Sequence, residues 1–199
     1  MVKADPSSRE RERGRGELRG DARRNVEKLK AAAIEVFQER GLSTPLEEIA
    51  ERAGVSVGTL YNRFGDREAL IDAVIPELAA RQFAAAVESA NVCGSPWDRF
   101  ATYVQRICEL QASDPALNDA VSRRFPEAQQ LKAVCDESLE FAGRLIDEAQ
   151  QAGLLRPDFT TKDLFIVFLS NAALVRESAN AGNEAWRRGI TFILDGLRV

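Results

Sequence analysis

The stretch AGVSVGTLYNRF, residues 53–64, ends one short helical pattern and starts another. Gly54 can end the first helix because glycine readily adopts the left-handed conformation found just past helix ends, and Ser56 can cap the second. Leu60 and Phe64 are four residues apart, so they lie on one face of that second helix and predict its buried side. The remaining positions carry small or polar residues that a core helix would not select. The stretch therefore predicts a short helix that turns a mixed polar surface outward.

A second short helix precedes it, in STPLEEIAERAG, residues 43–54. Thr44 is the expected N-cap, Pro45 fits the first helical position, and Glu47 at the third position would complete a capping box. Two short helices joined by a tight glycine-containing turn match the helix-turn-helix motif, whose second helix lies in the DNA major groove. The alternative is an ordinary exposed helix built from turn-favouring residues.

The outward residues of the second helix suit a DNA-reading surface. Gly58 removes a side chain where the helix would approach the duplex closely. Thr59 and Asn62 can meet base edges, and Tyr61 can place its hydroxyl on a phosphate. Arg63 can serve either purpose. We therefore expect this helix to bind DNA.

Residues 28–75 resemble the N-terminal domain of the TetR (tetracycline-repressor) family. The resemblance is carried by the alanines before Phe37 and Gly41, by IAERAGVS and GTLYNRF, and by a basic residue that opens the next helix. Two positions depart from the usual pattern, since Arg63 stands where histidine is common and Arg67 where lysine is. The resemblance implies phosphate contacts from Thr44, Tyr61 and Arg67, and groove contacts from Ser56, Val57, Thr59 and Asn62. Arg67 would follow Asp66 as N-cap, and a helix N-terminus there favours a phosphate; the alternative for Arg67 is an ion pair with a surface residue one turn away.

Composition excludes several classes of function. The chain has 199 residues, of which 45% are hydrophobic and 29% charged, with no histidine, so imidazole catalysis and imidazole metal ligation are excluded. GRGELRG, residues 14–20, lacks the context of a phosphate loop, and we expect no enzyme activity, no cofactor and no metal. The three cysteines are expected to be reduced and at least half-buried. We found neither a long apolar run nor a secretory signal pattern, which predicts a cytoplasmic protein with no membrane partner.

Charge is uneven along the chain. Residues 1–67 hold 14 Lys/Arg against 12 Asp/Glu, a net +2, and residues 68–199 hold 13 against 19, a net −6, which together give the total of −4. Residues 1–20 are arginine-rich with almost no apolar residue, so they are expected to be a disordered arm. This arm is either a solvated tail, partly neutralised by interleaved glutamates, or a segment that contacts the DNA backbone or minor groove.

The remainder predicts further amphipathic helices, with the segment at residues 160–178 apolar nearly all round. By the resemblance, residues 21–66 are the DNA-binding domain and residues 67–199 the ligand-binding and dimerisation domain. Aromatic and aliphatic residues of the middle helices are the candidate lining of an effector cavity, although such residues are more often plain core: Trp97, Phe100, Tyr103, Val104, Ile107, Phe141, Phe165 and Phe168. The last two helices would pack on a second subunit through Phe168, Ala172, Val175, Ile190, Ile193 and Leu197, unless the penultimate helix is the centre of a monomeric bundle.

The sequence thus predicts an all-α protein with an N-terminal three-helix DNA-binding domain and a C-terminal helical bundle. The expected function is a homodimeric DNA-binding transcriptional regulator, a repressor released from double-stranded operator DNA by a small apolar or amphipathic effector. The helix that starts at Arg67 would join the two domains and transmit the ligand signal. The alternative function is a helical ligand-binding or scaffold protein that binds no operator.

Overall fold

A computed structural model describes residues 24–123, 125–178 and 185–199. These ranges contain helices and no named strand, with one isolated bridge between Leu155 and Arg198. The predicted arm, residues 1–20, lies outside the described residues and stays a prediction. The helices are α1 (24–40), α2 (Leu46–Ala53), α3 (Val57–Phe64), α4 (Arg67–Asn91), α5 (Pro96–Ser113), α6 (Pro115–Ser122), α7 (Gln129–Gln151), α8 (Thr161–Ser178) and α9 (Ala185–Leu197).

Local capping signals set most of these bounds. Ser56 accepts the backbone N–H of Thr59 at 3.2 Å, and Asp66 accepts that of Ala69 at 2.8 Å. Gly54 has φ of 69° and ends α2 as predicted, because it returns its N–H to the last turn of the helix. Asp114 opens α6 by accepting the N–H groups of the helix's second and third residues.

The predicted capping box at Thr44 is wrong. α2 begins at Leu46, with Pro45 as an N-cap that makes no side-chain capping bond. The helix starts one residue later than expected because the extended ψ of Pro45, 136°, lies outside the helical region. Glu47 is therefore at the second helical position, from which the reciprocal bond of a capping box is not made. Thr44 is buried, and its hydroxyl donates to the carbonyl of Gly41 at 2.9 Å.

The N-terminal helices share a core with the first turns of α4. Helical spacing brings large apolar side chains of α1, α2, α3 and α4 to one centre, where they are almost completely excluded from solvent: Leu29, Phe37, Ile49, Leu60, Leu70 and Ile71. α4 continues for 25 residues and packs on α5 and α7, the body of the C-terminal bundle. α4 is thus a physical part of both halves, as the sequence predicted.

The C-terminal bundle is closed by α8 and α9, which lie over α5 and α6. Among the described residues, none of the helices is both long and apolar enough to cross a membrane. α8 is apolar on two sides, as predicted: Leu164 and Phe168 face the bundle, whereas Ile166 is 60% exposed and Leu169 is 41% exposed. The outer side of α8 therefore leaves apolar surface in contact with solvent.

Candidate DNA-binding site and effector cavity

Leu60 determines which way α3 faces. Its side chain is fully buried against the N-terminal core, and Phe64, one turn later, is half-buried on the same core. With this face inward, the helix exposes Gly58, Thr59, Tyr61, Asn62 and Arg63, together with the capping residue Ser56. Val57, predicted to meet the groove, packs half-buried against the core, and its contact with DNA stays a prediction. The other outward residues are where the sequence placed them.

The exposed surface of α3 carries several kinds of hydrogen-bonding group. The hydroxyls of Ser56 and Thr59 lie 2.9 Å apart at the start of the helix and share one hydrogen bond. Tyr61 is 45% exposed, which leaves its hydroxyl accessible. Arg63 makes no hydrogen bond or ion pair with any residue in the described ranges, so its charge is available to an external anion. Donors, acceptors and an unneutralised cation on one short helix are what base and phosphate recognition requires.

Gly58 has no internal reason to be glycine. It is helical without a positive φ, and a Cβ built there would meet only the hydroxyl oxygen of Ser56, at 3.8 Å. Glycine in a helix costs up to about 1 kcal/mol relative to alanine. The described structure therefore gives no reason for the missing side chain at this position.

The side chains of Arg67 and Thr44 make hydrogen bonds that the sequence analysis did not predict. The Nη1 group of Arg67 donates to the carbonyl of Leu42 at 3.1 Å and also to that of Thr44. This side chain therefore holds the α1–α2 loop, residues 41–45, rather than pairing with a neighbour on its own helix. A phosphate contact from Arg67 or Thr44 stays a prediction, and Thr44 would first have to release the Gly41 carbonyl that its hydroxyl now binds.

A second basic residue near the motif is already neutralised. Arg52 on α2 donates to both carboxylate oxygens of Glu39 on α1, at 3.1 and 3.0 Å. The hydrogen bond from Arg52 lowers the pKa of Glu39 below its usual value. This pair ties α2 to α1 on the surface, and it leaves Arg63 as the stronger candidate for a contact with DNA.

Three hydrogen bonds join α6 to the DNA-binding half. Asp114 accepts from the side-chain amide of Gln38 at 2.8 Å, and Asp119 accepts the buried backbone N–H of Leu42 at 2.8 Å. Arg123, just past α6, donates to the hydroxyl of Ser43 at 2.6 Å. Sequence reasoning missed these residues, because nothing local marks partners that are 76 to 80 positions apart.

A cavity of about 470 Å³ opens between α4, α5, α7 and α8, beside the end of α6. Four of the eight predicted lining residues border it: Tyr103, Ile107, Phe165 and Phe168. The other four belong to the core or its edge. Trp97 and Phe100 pack on each other with ring centroids 5.8 Å apart, Val104 is buried, and Phe141 lies against the Tyr103 ring at 5.2 Å. The sequence also missed residues that line the cavity, among them Phe83, Arg123, Lys132, Cys135 and Lys162.

Two ionisable groups of the cavity wall are held neutral. Burial raises the pKa of Tyr103 to about 12, and its hydroxyl lies 2.6 Å from the hydroxyl of Ser138. Burial likewise raises the pKa of the Cys135 thiol to about 11, with a smaller contribution from Asp136. The three cysteines are unpaired, and all are at least half-buried, as predicted. The wall thus offers weak neutral hydrogen-bonding groups and no thiolate nucleophile.

The outer face of α8 and α9 differs from the predicted dimer interface. Phe168, Ala172, Ile190 and Leu197 are buried within the chain, so they do not form an outward surface, whereas Val175 and Ile193 are partly buried. Helical periodicity identifies an apolar face but does not say which of two apolar faces points inward, so a dimer interface on these helices stays a prediction. Among the described residues, the exposed large apolar side chains of these two helices are Ile166, Leu169 and Phe192.

The comparisons with known proteins agree with this architecture. Residues 29–74 match the family described as bacterial regulatory proteins, tetR family, and residues 95–199, more than half of the chain, match the SbtR-like C-terminal domain of transcriptional regulators. The regulatory protein RaaS of Mycobacterium tuberculosis is 25% identical over 65% of this chain, but the match spans only 59% of its own length. The regulator UidR of Escherichia coli is 28% identical over 65% of this chain and 68% of its own.

Solved structures show the same fold. FadR of Bacillus subtilis, solved in complex with stearoyl-CoA, superimposes with a TM-score of 0.63 over 85% of this chain and 97% of FadR, at 18% identity. At that identity the likeness concerns the fold alone. The C-terminal family match covers more than half of the chain, and residues 29–74 match the family's N-terminal domain. The chain therefore belongs to the TetR family of transcriptional regulators.

Proposed function

We propose that this protein is a dimeric repressor that binds operator DNA through α3 and is released by a small apolar or amphipathic effector. The observation that carries the proposal is the outward face of α3, which combines an unneutralised Arg63, exposed polar groups and a glycine that the fold does not need. Such a helix fits the major groove as the second helix of a helix-turn-helix motif.

The residues of this face divide into two roles. Thr59 and Asn62 reach base edges and supply sequence preference. Tyr61 and Arg63 contact phosphates, which position the helix without reading the sequence. Arg67 supports both roles, because it holds the loop before α2 and thereby sets the angle at which the motif meets the duplex.

The exposed apolar face of α8 and α9 supports a homodimer. Ile166, Leu169 and Phe192 are 41% to 61% exposed on these two helices, and a large exposed apolar patch marks a site of interaction with another protein. A second copy of the chain would cover this face and place two α3 helices about 34 Å apart, one turn of DNA, or a multiple of that distance.

The cavity supports an effector-controlled equilibrium. Its volume, about 470 Å³, is in the range of small-molecule sites, and apolar side chains from α4, α5 and α8 line its interior. Asp72 on α4 accepts the backbone N–H of Leu131 at 2.9 Å, so the start of α7 is tied to the helix that enters the DNA-binding half. A ligand that prefers one packing of this cavity therefore shifts the orientation of both α3 helices.

The test is a fluorescence-anisotropy titration of the full chain with the DNA that lies upstream of its own gene. Specific binding, stronger than to a scrambled duplex at the same salt concentration, is expected. Thr59→Ala should remove the preference while leaving binding to scrambled DNA intact. Thr191→Ala, at another exposed helical threonine, is the matched control and should change neither. Absence of any preference at low salt would favour a scaffold protein instead.

A further inference from the structure

The cavity has a polarity gradient. Phe83, Ile107 and Phe168 in its wall are at most 6% exposed, whereas the four charged residues of its lining are exposed, which defines the mouth of the cavity: Arg123, Lys132, Asp136 and Lys162. An occupant would meet apolar surface along its body and charge only at one end.

The cavity lining carries more cations than carboxylates although the surrounding sequence is acidic. Arg123, Lys132 and Lys162 face one carboxylate among the lining residues, that of Asp136, whereas residues 68–199 as a whole carry a net charge of −6. Lys132 is paired with Asp136. Lys162 has no hydrogen-bond or ion-pair partner within the part of the chain that the structure describes. Cations from three separate elements thus border the cavity, of which Arg123 and Lys132 are paired with carboxylates and Lys162 is not.

We infer that the effector is an amphipathic anion, with an apolar body in the cavity and a carboxylate or phosphate head group held at the mouth by Lys162 and Arg123. The inference rests on the proposed function, because it specifies the effector of the same cavity. A carboxylate on a guanidinium makes a charge-assisted bond about twice as strong as a neutral one. The apolar wall supplies affinity through burial of the ligand body.

Arg123 also connects the mouth to the DNA-binding half. Its Nε lies 2.7 Å from Asp119, and its Nη1 donates to the hydroxyl of Ser43 at 2.6 Å. The second oxygen of Asp119 accepts the N–H of Leu42, and a Cβ on Gly41 would lie only 2.7 Å from that oxygen, so the loop fits closely against α6. Residues 41–43 are therefore held by the same α6 terminus that borders the cavity.

An anionic head group would compete with Ser43 for Arg123. Since the head group is an anionic acceptor and the serine hydroxyl a neutral one, the guanidinium bonds more strongly to the ligand, and occupancy favours the arrangement in which Arg123 has left the loop. By linkage, an effector that requires a free Arg123 binds more weakly to the conformation in which Arg123 is hydrogen-bonded to Ser43. The effector should accordingly lower operator affinity.

The experiment compares three probes that share a ten-carbon chain and differ in head group: decanoate, decanol and decyltrimethylammonium. Binding to the full-length protein is measured by calorimetry below the concentration at which each probe aggregates. Decanoate should bind at least about tenfold more tightly than decanol, which corresponds to one or two charge-assisted bonds at a partly exposed site. Equal affinity for decanoate and decanol, or preference for the ammonium probe, overturns the inference.

Two variants test the assigned residues. Lys162→Gln should weaken decanoate binding by about threefold to fivefold and leave decanol unchanged, since an exposed charge pair is worth at most about 1 kcal/mol. Lys28→Gln, the same change at an exposed lysine of α1 away from the cavity, is the control. Ser43→Ala, outside the cavity, should tighten decanoate binding by releasing Arg123. An unchanged decanoate affinity in both Lys162→Gln and Ser43→Ala would refute these contacts.

Operator binding is measured separately on the same preparations. If decanol releases the protein from its operator and decanoate does not bind, the inference of an anionic effector is overturned and the proposed repressor function stands. Decanoate binding to a protein with no operator preference would instead support the cavity assignment and overturn the repressor.

Discussion

Replacing Gly58 by alanine separates the stability of α3 from its contact with DNA. The new methyl group would meet no atom closer than the hydroxyl oxygen of Ser56, at 3.8 Å, which is ordinary van der Waals distance. Because alanine is the better helix former, the free energy of unfolding should rise by about 0.5 to 1 kcal/mol. For a chain of this size the midpoint of thermal unfolding should then rise by roughly 1 to 4 °C, measured by scanning calorimetry.

The same methyl group stands on the surface that faces the duplex in the proposed complex. A displacement of α3 that costs one good base contact loses about 1 to 3 kcal/mol, and 1.4 kcal/mol is about tenfold in affinity. We therefore expect Gly58→Ala to weaken operator binding at least about fivefold in an anisotropy titration, although the variant is more stable.

Gly143→Ala is the matched control. Gly143 is a helical glycine of α7, outside both α3 and the exposed face of α8 and α9, and a Cβ built there would meet the Cγ2 of Thr161 at 3.4 Å, an ordinary contact distance. Its replacement should stabilise the fold by a similar or smaller amount and leave DNA affinity unchanged. Operator binding by Gly58→Ala at the wild-type level would show that α3 does not approach DNA at this position, and a loss of stability would contradict the structural account of Gly58.

Three further outcomes are expected. Tyr61→Ala should weaken binding to operator and random DNA alike by about threefold to tenfold, since a phosphate contact positions the helix without reading sequence; a change in sequence preference alone would assign Tyr61 to the bases. Phe192→Glu should convert the proposed dimer to a monomer, measured by light scattering. Val92→Glu, at an 86% exposed residue just past α4, is the control and should leave the dimer intact. If both variants remain dimeric, the interface lies elsewhere. The rate at which maleimide labels Cys135, followed by peptide mass spectrometry, should rise about tenfold per pH unit between pH 8 and 10. The reason is that the pKa of the Cys135 thiol is raised to about 11 and the thiolate is the reactive form. A labelling rate independent of pH would contradict that shift.

Local signals in the sequence were sufficient for the helices that carry the proposed DNA-binding surface. Ser56 and Asp66 cap helices through bonds that reach three residues, and Gly54 ends one through its own backbone conformation. Leu60, spaced one turn from Phe64, was enough to predict the outward side of α3. These effects act within about one helical turn, so they can be predicted from the sequence without knowledge of which residues lie nearby in space.

The tertiary structure decided the rest, because apolar residues of similar appearance have several destinations. Trp97 and Phe165 looked alike as candidate cavity residues, yet Trp97 packs in the core and Phe165 borders the cavity. Phe168 points inward, whereas Phe192 is the exposed one. The hydrogen bond from the backbone N–H of Leu42 to the Asp119 carboxylate joins residues 77 positions apart in the sequence. Helical periodicity gives each helix its apolar face, but only the packing of helices against one another determines whether that face meets a core, a cavity or solvent.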